Sequence, residues 1–143
     1  MKINNTKKNI LLIIVLVLFV TAFFFLREDN KSLEEKFWND LSKREEVVNL
    51  VKNKELISDI SERPDLIKLP LKYRNLSEGG GEIIIENDQG LSVLFYTFRG
   101  VVDNFAGFVY KENNMDITKE DFNCGNILDS KKLKDNWFWV SCT

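Results

Sequence analysis

Histidine is missing altogether from this chain of 143 residues. Without an imidazole there is no Ser-His-Asp or Cys-His nucleophile and no histidine-ligated zinc or haem. No side chain remains whose ordinary pKa lies near neutrality. Cysteine is almost absent too: two residues are too few thiols for a zinc site. A strong excess of either charge is also lacking, with 20 Lys+Arg against 22 Asp+Glu. No internal repeat and no low-complexity tract occurs, and the length allows one modest domain.

Long apolar runs are scarce as well, with a single exception. Residues 10–26 read ILLIIVLVLFVTAFFFL, 16 apolar residues of 17, whereas residues 28–143 contain 45 apolar residues of 116. As a helix the run spans roughly 25 Å at about 1.5 Å per residue, the short end of what a hydrocarbon core of about 30 Å accepts. Lys8 and Arg27 flank it and can snorkel to the interfaces. Lys2, Lys7, Lys8 and the amino terminus precede it, while Arg27, Glu28, Asp29 and Lys31 cancel one another after it. The positive-inside bias places residues 1–9 in the cytoplasm, a transmembrane signal-anchor helix at 10–26, and residues 28–143 outside. A competing reading is cleavage after Ala22, since Val20-Thr21-Ala22 has small residues at the positions a signal peptidase inspects. The apolar run continues through Phe23, Phe24, Phe25 and Leu26, which favours an uncleaved anchor. No cysteine closely follows the run, so lipoprotein processing is excluded.

Separating the anchor changes the charge arithmetic. Residues 28–143 hold 16 Lys+Arg and 22 Asp+Glu, a net charge of −6. A mildly acidic domain beside an anionic envelope is unsuited to binding nucleic acid or lipid headgroups by charge.

Within that domain, Ser32 and Glu35 have capping-box spacing. Apolar residues then recur at Leu33, Phe37, Leu41, Val48 and Val51, which predicts an amphipathic helix over about 33–54. Residues 56–60 are expected to add a helical turn, and Pro64 and Pro70 mark an irregular connection. Runs at 82–86, 91–99, 105–111 and 137–142 read as strands, with a helical turn at 116–122 and a short strand at 127–129. Asn87-Asp88-Gln89-Gly90 supplies the first hairpin turn. The expected fold class is α+β: an N-terminal transmembrane helix, then an amphipathic helix packed on a four- to five-stranded antiparallel sheet spanning about 82–142. The layout is similar to that of pilins, but a prepilin's Gly-Phe junction and early glutamate are absent, so nothing is transferred from that family.

Cys124 and Cys142 lie in the part placed outside the cytoplasm and would close a 19-residue segment as a disulfide. The alternative is two unpaired cysteines serving as small apolar residues. The stretch 91–110 is dense in aromatics, and Trp137 and Trp139 share a face of the last strand. Core packing is the plainer account of these rings. The sharper one makes Tyr96, Tyr110, Trp137 and Trp139 an exposed binding platform, with Arg99 as an orienting group. Arg99 is also placed to pair with Asp103 across the hairpin turn.

Gly79-Gly80-Gly81 is followed by Glu82 and not by Lys-Ser or Lys-Thr, so it reads as a flexible joint and not a phosphate loop. Residues 87–90 lack the alternating carboxylates of a calcium loop. No cofactor and no metal is expected. Glu82 with Glu86, or Asp116 with Glu120 and Asp121, could supply an acid and a base, yet nothing marks one pair out. The expectation is a membrane-anchored, non-catalytic binding module with an envelope protein as partner. An immunity or inhibitor protein is the first alternative, and a carboxylate-based cell-wall hydrolase the second.

Overall fold

The computed structural model describes residues 32–101 and 104–143, so the apolar run at 10–26 and Asp103 lie outside the described residues. The chain divides into two compact units, Met1–Lys36 and Phe37–Thr143, and the sheet belongs to the second. Among the described residues no helix is long and apolar enough to cross a membrane.

The helix expected over 33–54 is two helices, α1 (Leu33–Asn39) and α2 (Leu41–Lys52). The Ser32 hydroxyl accepts the Glu35 N–H at the start of α1. Asp40, with φ −112° and ψ 12°, interrupts the helical path. The break leaves the Phe37 carbonyl without a helical partner, and the Arg44 side chain folds inward to supply one, Nη1 donating to that oxygen at 3.1 Å. Asn53 and left-handed Lys54, φ 59°, end α2. The helical turn expected at 56–60 does not form. Ser58 Oγ there bonds the carbonyls of Ile60 and Arg63 and accepts the Ile60 N–H, an alternative that short hydroxyl side chains offer the backbone.

Six strands make one antiparallel sheet: β1 (Leu66–Lys68), β2 (Glu82–Glu86), β3 (Ser92–Arg99), β4 (Phe105–Lys111), β5 (Ile127–Lys134) and β6 (Trp137–Cys142). Their order is β1-β2-β3-β4-β6-β5. The fold is therefore α+β with a six-stranded open sheet, one strand more than the upper expectation. Strand β1 has only three residues between two prolines, too few to show a period. Strand β5 reaches eight residues where a short strand at 127–129 was expected; it is an exposed edge whose Asp-Ser-Lys-Lys stretch has no apolar alternation.

Both sheet faces are covered, which explains the nearly continuous apolar character of β3 and β4. On one face Phe37, Val47, Val48 and Val51 pack against Ile83, Val93, Phe95, Phe108, Tyr110 and Trp137. On the other, Leu94, Tyr96, Phe105, Val109 and Val140 lie with Phe122 and Cys124 of the segment joining β4 to β5. Cys124 and Cys142 are disulfide-bonded, tying that segment to the end of β6. The helical turn expected at 116–122 shrinks to a 3-10 turn at Asp121–Asn123. Gly79, Gly80 and Gly81 all have positive φ. A Cβ on Gly81 would meet the backbone of Arg74, so the triplet serves close approach as much as flexibility.

Candidate functional site

Two concave features stand out among the described residues, and they differ in chemistry. The first is a polar recess of about 550 Å³ on the face that carries Tyr96, lined by residues that include Arg63, Asp65, Glu86, Tyr96, Arg99 and Phe122. Pairing along β2 and β3 sets this layout, since residues two apart share a face and Glu86, Ile84 and Glu82 all point to it.

Each guanidinium of the recess is matched to a carboxylate in or beside it. Arg63 grips Asp65 with two prongs, Nε to Oδ1 at 3.0 Å and Nη2 to Oδ2 at 2.8 Å. That contact holds the Asp65 carboxyl below its ordinary range and the guanidinium above its own. Arg99 pairs with Glu82, and its guanidinium carbon lies 5.2 Å from the centre of the Tyr96 ring. The Asp103 partner expected for Arg99 lies outside the described residues. Burial raises the Tyr96 phenol above its ordinary pKa, and the nearby Arg99 opposes the rise. Burial likewise raises the Glu86 carboxyl, against the Phe122 N–H that donates to Oε1 at 2.8 Å. Phe122 and Asn123 have φ of 58° and 55°, an uncommon conformation for a bulky ring. An anion entering the recess has to displace a carboxylate from one of the two guanidiniums, whereas a neutral polar group can share them.

The second feature is an apolar groove of about 840 Å³ at the end of α2, between the 54–64 connection and the turn joining β2 to β3. Val51, Leu56, Ile57, Ile60, Pro64 and Leu91 line it, with Lys52 and Glu112 among its polar members. Ile57 is 71% exposed, a large apolar side chain left in water by a domain that buries most of its others. Lys52 Nζ bonds Glu112 at 3.0 Å and the Tyr110 hydroxyl at 2.9 Å, and its ammonium is held above its ordinary pKa by these bonds.

The five residues singled out for binding are divided by the sheet. Tyr96 and Arg99 meet at the polar recess. Tyr110 and Trp137 lie on the opposite face, 9% and 1% exposed, their ring centroids 5.5 Å apart; Trp137 also packs against Phe37 and Phe95. Trp139 is half-buried against the same cluster. The exposed aromatic platform is thus corrected to core, because Phe37 and α2 cover the face it would have presented. On the sheet, Phe98 reaches solvent, at 57%, where a bulge between Tyr96 and Phe98 shifts the pairing with β4, and on α1 Trp38 does so at 50%. Of the carboxylate pairs weighed from sequence, Glu82 is bonded to Arg99, Glu86 to the Phe122 N–H, and Asp121 to Lys111. Among the described residues no group of three or more Cys, Asp and Glu is placed to hold a metal ion.

Sequence reasoning passed over Arg63, Asp65, Ile57 and Ile60. Arg-x-Asp spacing was a legible sign of the first pair; nothing local marks the isoleucines as exposed. No family model matches the chain, and neither a curated protein nor a solved structure matches it.

Proposed function

We propose that the chain is a single-pass membrane protein, anchored by residues 10–26 with its N-terminus in the cytoplasm, whose outer domain is a non-catalytic binding module of the bacterial envelope. In this reading the anchor precedes a domain in which Phe37 and α2 pack on the sheet. The disulfide supports the compartment, because such bonds persist outside the reducing cytoplasm.

The observation that carries binding is the apolar groove with its exposed Ile57 and charged rim. Its partner is an apolar segment of another envelope protein, recognised by burial on Ile57 and Ile60 and oriented by the Lys52–Glu112 pair. Addition of a strand to the sheet is a weaker route. Exposed Asp129, Lys131 and Lys132 line β5, and β1 has only three residues.

The test is in-cell photocrosslinking of the full-length chain with the reactive group at residue 57, alongside a control at Glu120. A discrete adduct from position 57, absent from position 120 and lost on Ile60→Asp, is expected. Equal labelling from both positions, or an adduct indifferent to Ile60→Asp, overturns the groove. An exported-enzyme reporter fused after Thr143 must be active; an inactive one overturns the topology. A second reading, an immunity or inhibitor protein, draws on the −6 balance of residues 28–143 and requires an adduct that weakens steeply with added salt.

A further inference from the structure

Lys111 is the most deeply buried cation of the described residues, its side chain 1% exposed. It closes β4 on the face that carries Val109 and Phe105. Its ammonium nitrogen lies 2.6 Å from Oδ2 and 2.8 Å from Oδ1 of Asp121, itself only 12% exposed, and donates to the Asp116 carbonyl at 3.0 Å. Thr118 fixes the carboxylate further, donating to Oδ2 through its N–H at 2.7 Å and its hydroxyl at 3.2 Å.

A third group arrives through the sheet register. Glu86 pairs with Ser92, and Ser92 pairs with Lys111, so the three side chains lie in one row across β2, β3 and β4 and point to the same face. Ser92 is short and buried, so only a hydroxymethyl group stands between Glu86 and Lys111 in this row, and the Lys111 charge acts on the Glu86 carboxyl. Glu86 and Asp121 both line a cavity of about 60 Å³, and Glu86 accepts the N–H of Phe122, the residue next to Asp121. Burial holds the Glu86 carboxyl toward its protonated form.

We propose that Lys111 and Asp121 condense to an intramolecular amide, with Glu86 as the proton shuttle. Removed from water, the ion pair is converted to amine and acid by moving one proton from Nζ to the Asp121 carboxylate. The amine then attacks Cγ of Asp121, forming the N–C bond. Glu86, as the neutral acid, gives its own proton to the departing hydroxyl, which leaves as water, and takes the second proton from nitrogen on its other oxygen. The ammonium and the carboxylate become one amide and one water, Glu86 is regenerated, and no oxidant or activated co-substrate is consumed. Holding nucleophile and electrophile in contact replaces the activation such a condensation needs in solution. The product exchanges a buried ion pair for a neutral link. Asp121 and disulfide-bonded Cys124 lie three residues apart, so the amide and the disulfide together fasten the segment after β4 to two strands.

Mass spectrometry of the full-length protein in detergent, with the disulfide reduced, tests this. Expected is a mass lower than the sequence mass by one water, and after digestion a branched peptide joining Lys111 to Asp121. Glu86→Gln keeps the side-chain shape and the Phe122 bond, and its folding is checked by near-ultraviolet circular dichroism. The branched peptide should accumulate roughly a hundredfold more slowly in it, the usual scale of general acid–base assistance. Wild-type protein at its full sequence mass overturns the amide. Loss of water confined to an unbranched, succinimide-containing peptide overturns it equally. A Glu86→Gln protein that links as fast as wild type removes Glu86 from the reaction.

Discussion

The guanidinium of Arg44 lies over the ring of Phe108, 4.6 Å from its centroid, so that a cation near the start of α2 packs on the middle of β4. The same side chain caps the Phe37 carbonyl at the break between the helices. Burial pushes its pKa down to about 10, which leaves it charged at neutral pH. Arg44→Ala removes a cation–π contact, a cap and a volume of core together, and is expected to cost about 3 kcal/mol or more. Arg44→Lys restores charge without the planar fork and should recover less than half of that. Urea unfolding of both variants measures it; a lysine variant as stable as wild type would show that charge alone matters.

Breaking the Cys124–Cys142 bond frees the segment between β4 and β5 from the end of β6. The sequence separation is 18, for which loop-closure entropy alone gives about 3 kcal/mol. The double variant Cys124→Ser, Cys142→Ser should unfold at a clearly lower urea concentration. Reductant should move the wild-type curve toward it and leave the variant's curve in place. Alkylation without reductant should label neither cysteine of the wild-type protein.

Much of the sheet was legible because its central strands carry their own punctuation. Residues 105–111 and 137–142 are strands to the residue, since turn-forming residues bound them and both faces are apolar. The edges were harder to read: β1 is too short for a period, and β5 is too polar. The candidate site was legible only at Tyr96 and Arg99. A strand dense in rings on both faces is the pattern of a strand covered on both faces, and that covering removed Tyr110 and Trp137 from the surface. Lys111 gave no local warning either. At the end of an apolar strand a lysine normally reaches solvent, and only the 3-10 turn carrying Asp121 encloses it.

Gly107 sits opposite Tyr96 where β3 bulges. A Cβ there would come within 2.5 Å of the Phe95 carbonyl oxygen and 2.5 Å of Leu94 Cδ1. Backbone in mid-sheet cannot yield, so Gly107→Ala should destabilise by about 1–3 kcal/mol despite alanine's smaller conformational entropy. Gly80→Ala is the control for backbone strain alone, because its φ is +99° and no atom lies within 4 Å of the added carbon. If the two variants unfold at the same urea concentration, close packing at Gly107 is not what selects glycine.

Tyr96 gives the domain a predictable alkaline limit. Its phenol is raised above the ordinary value of about 10 because burial disfavours the phenolate. Above that ordinary value the unfolded chain has released this proton while the folded chain still holds it. The folded state binds more protons over that window, so stability falls as pH rises from the unfolded pKa toward the folded one, and the contribution is fully present below it. Tyr96→Phe lacks the group. The stability difference between wild type and Tyr96→Phe should therefore be constant up to about pH 10 and then shift steadily against the wild type. Arg99 lies over the ring and opposes the rise, so Arg99→Gln should push the phenol higher still. Near-ultraviolet phenolate absorbance of the folded wild-type protein should show a late-titrating component that disappears in Tyr96→Phe. Parallel stability curves for wild type and Tyr96→Phe at every pH would mean that the ring reaches solvent through the recess as easily folded as unfolded.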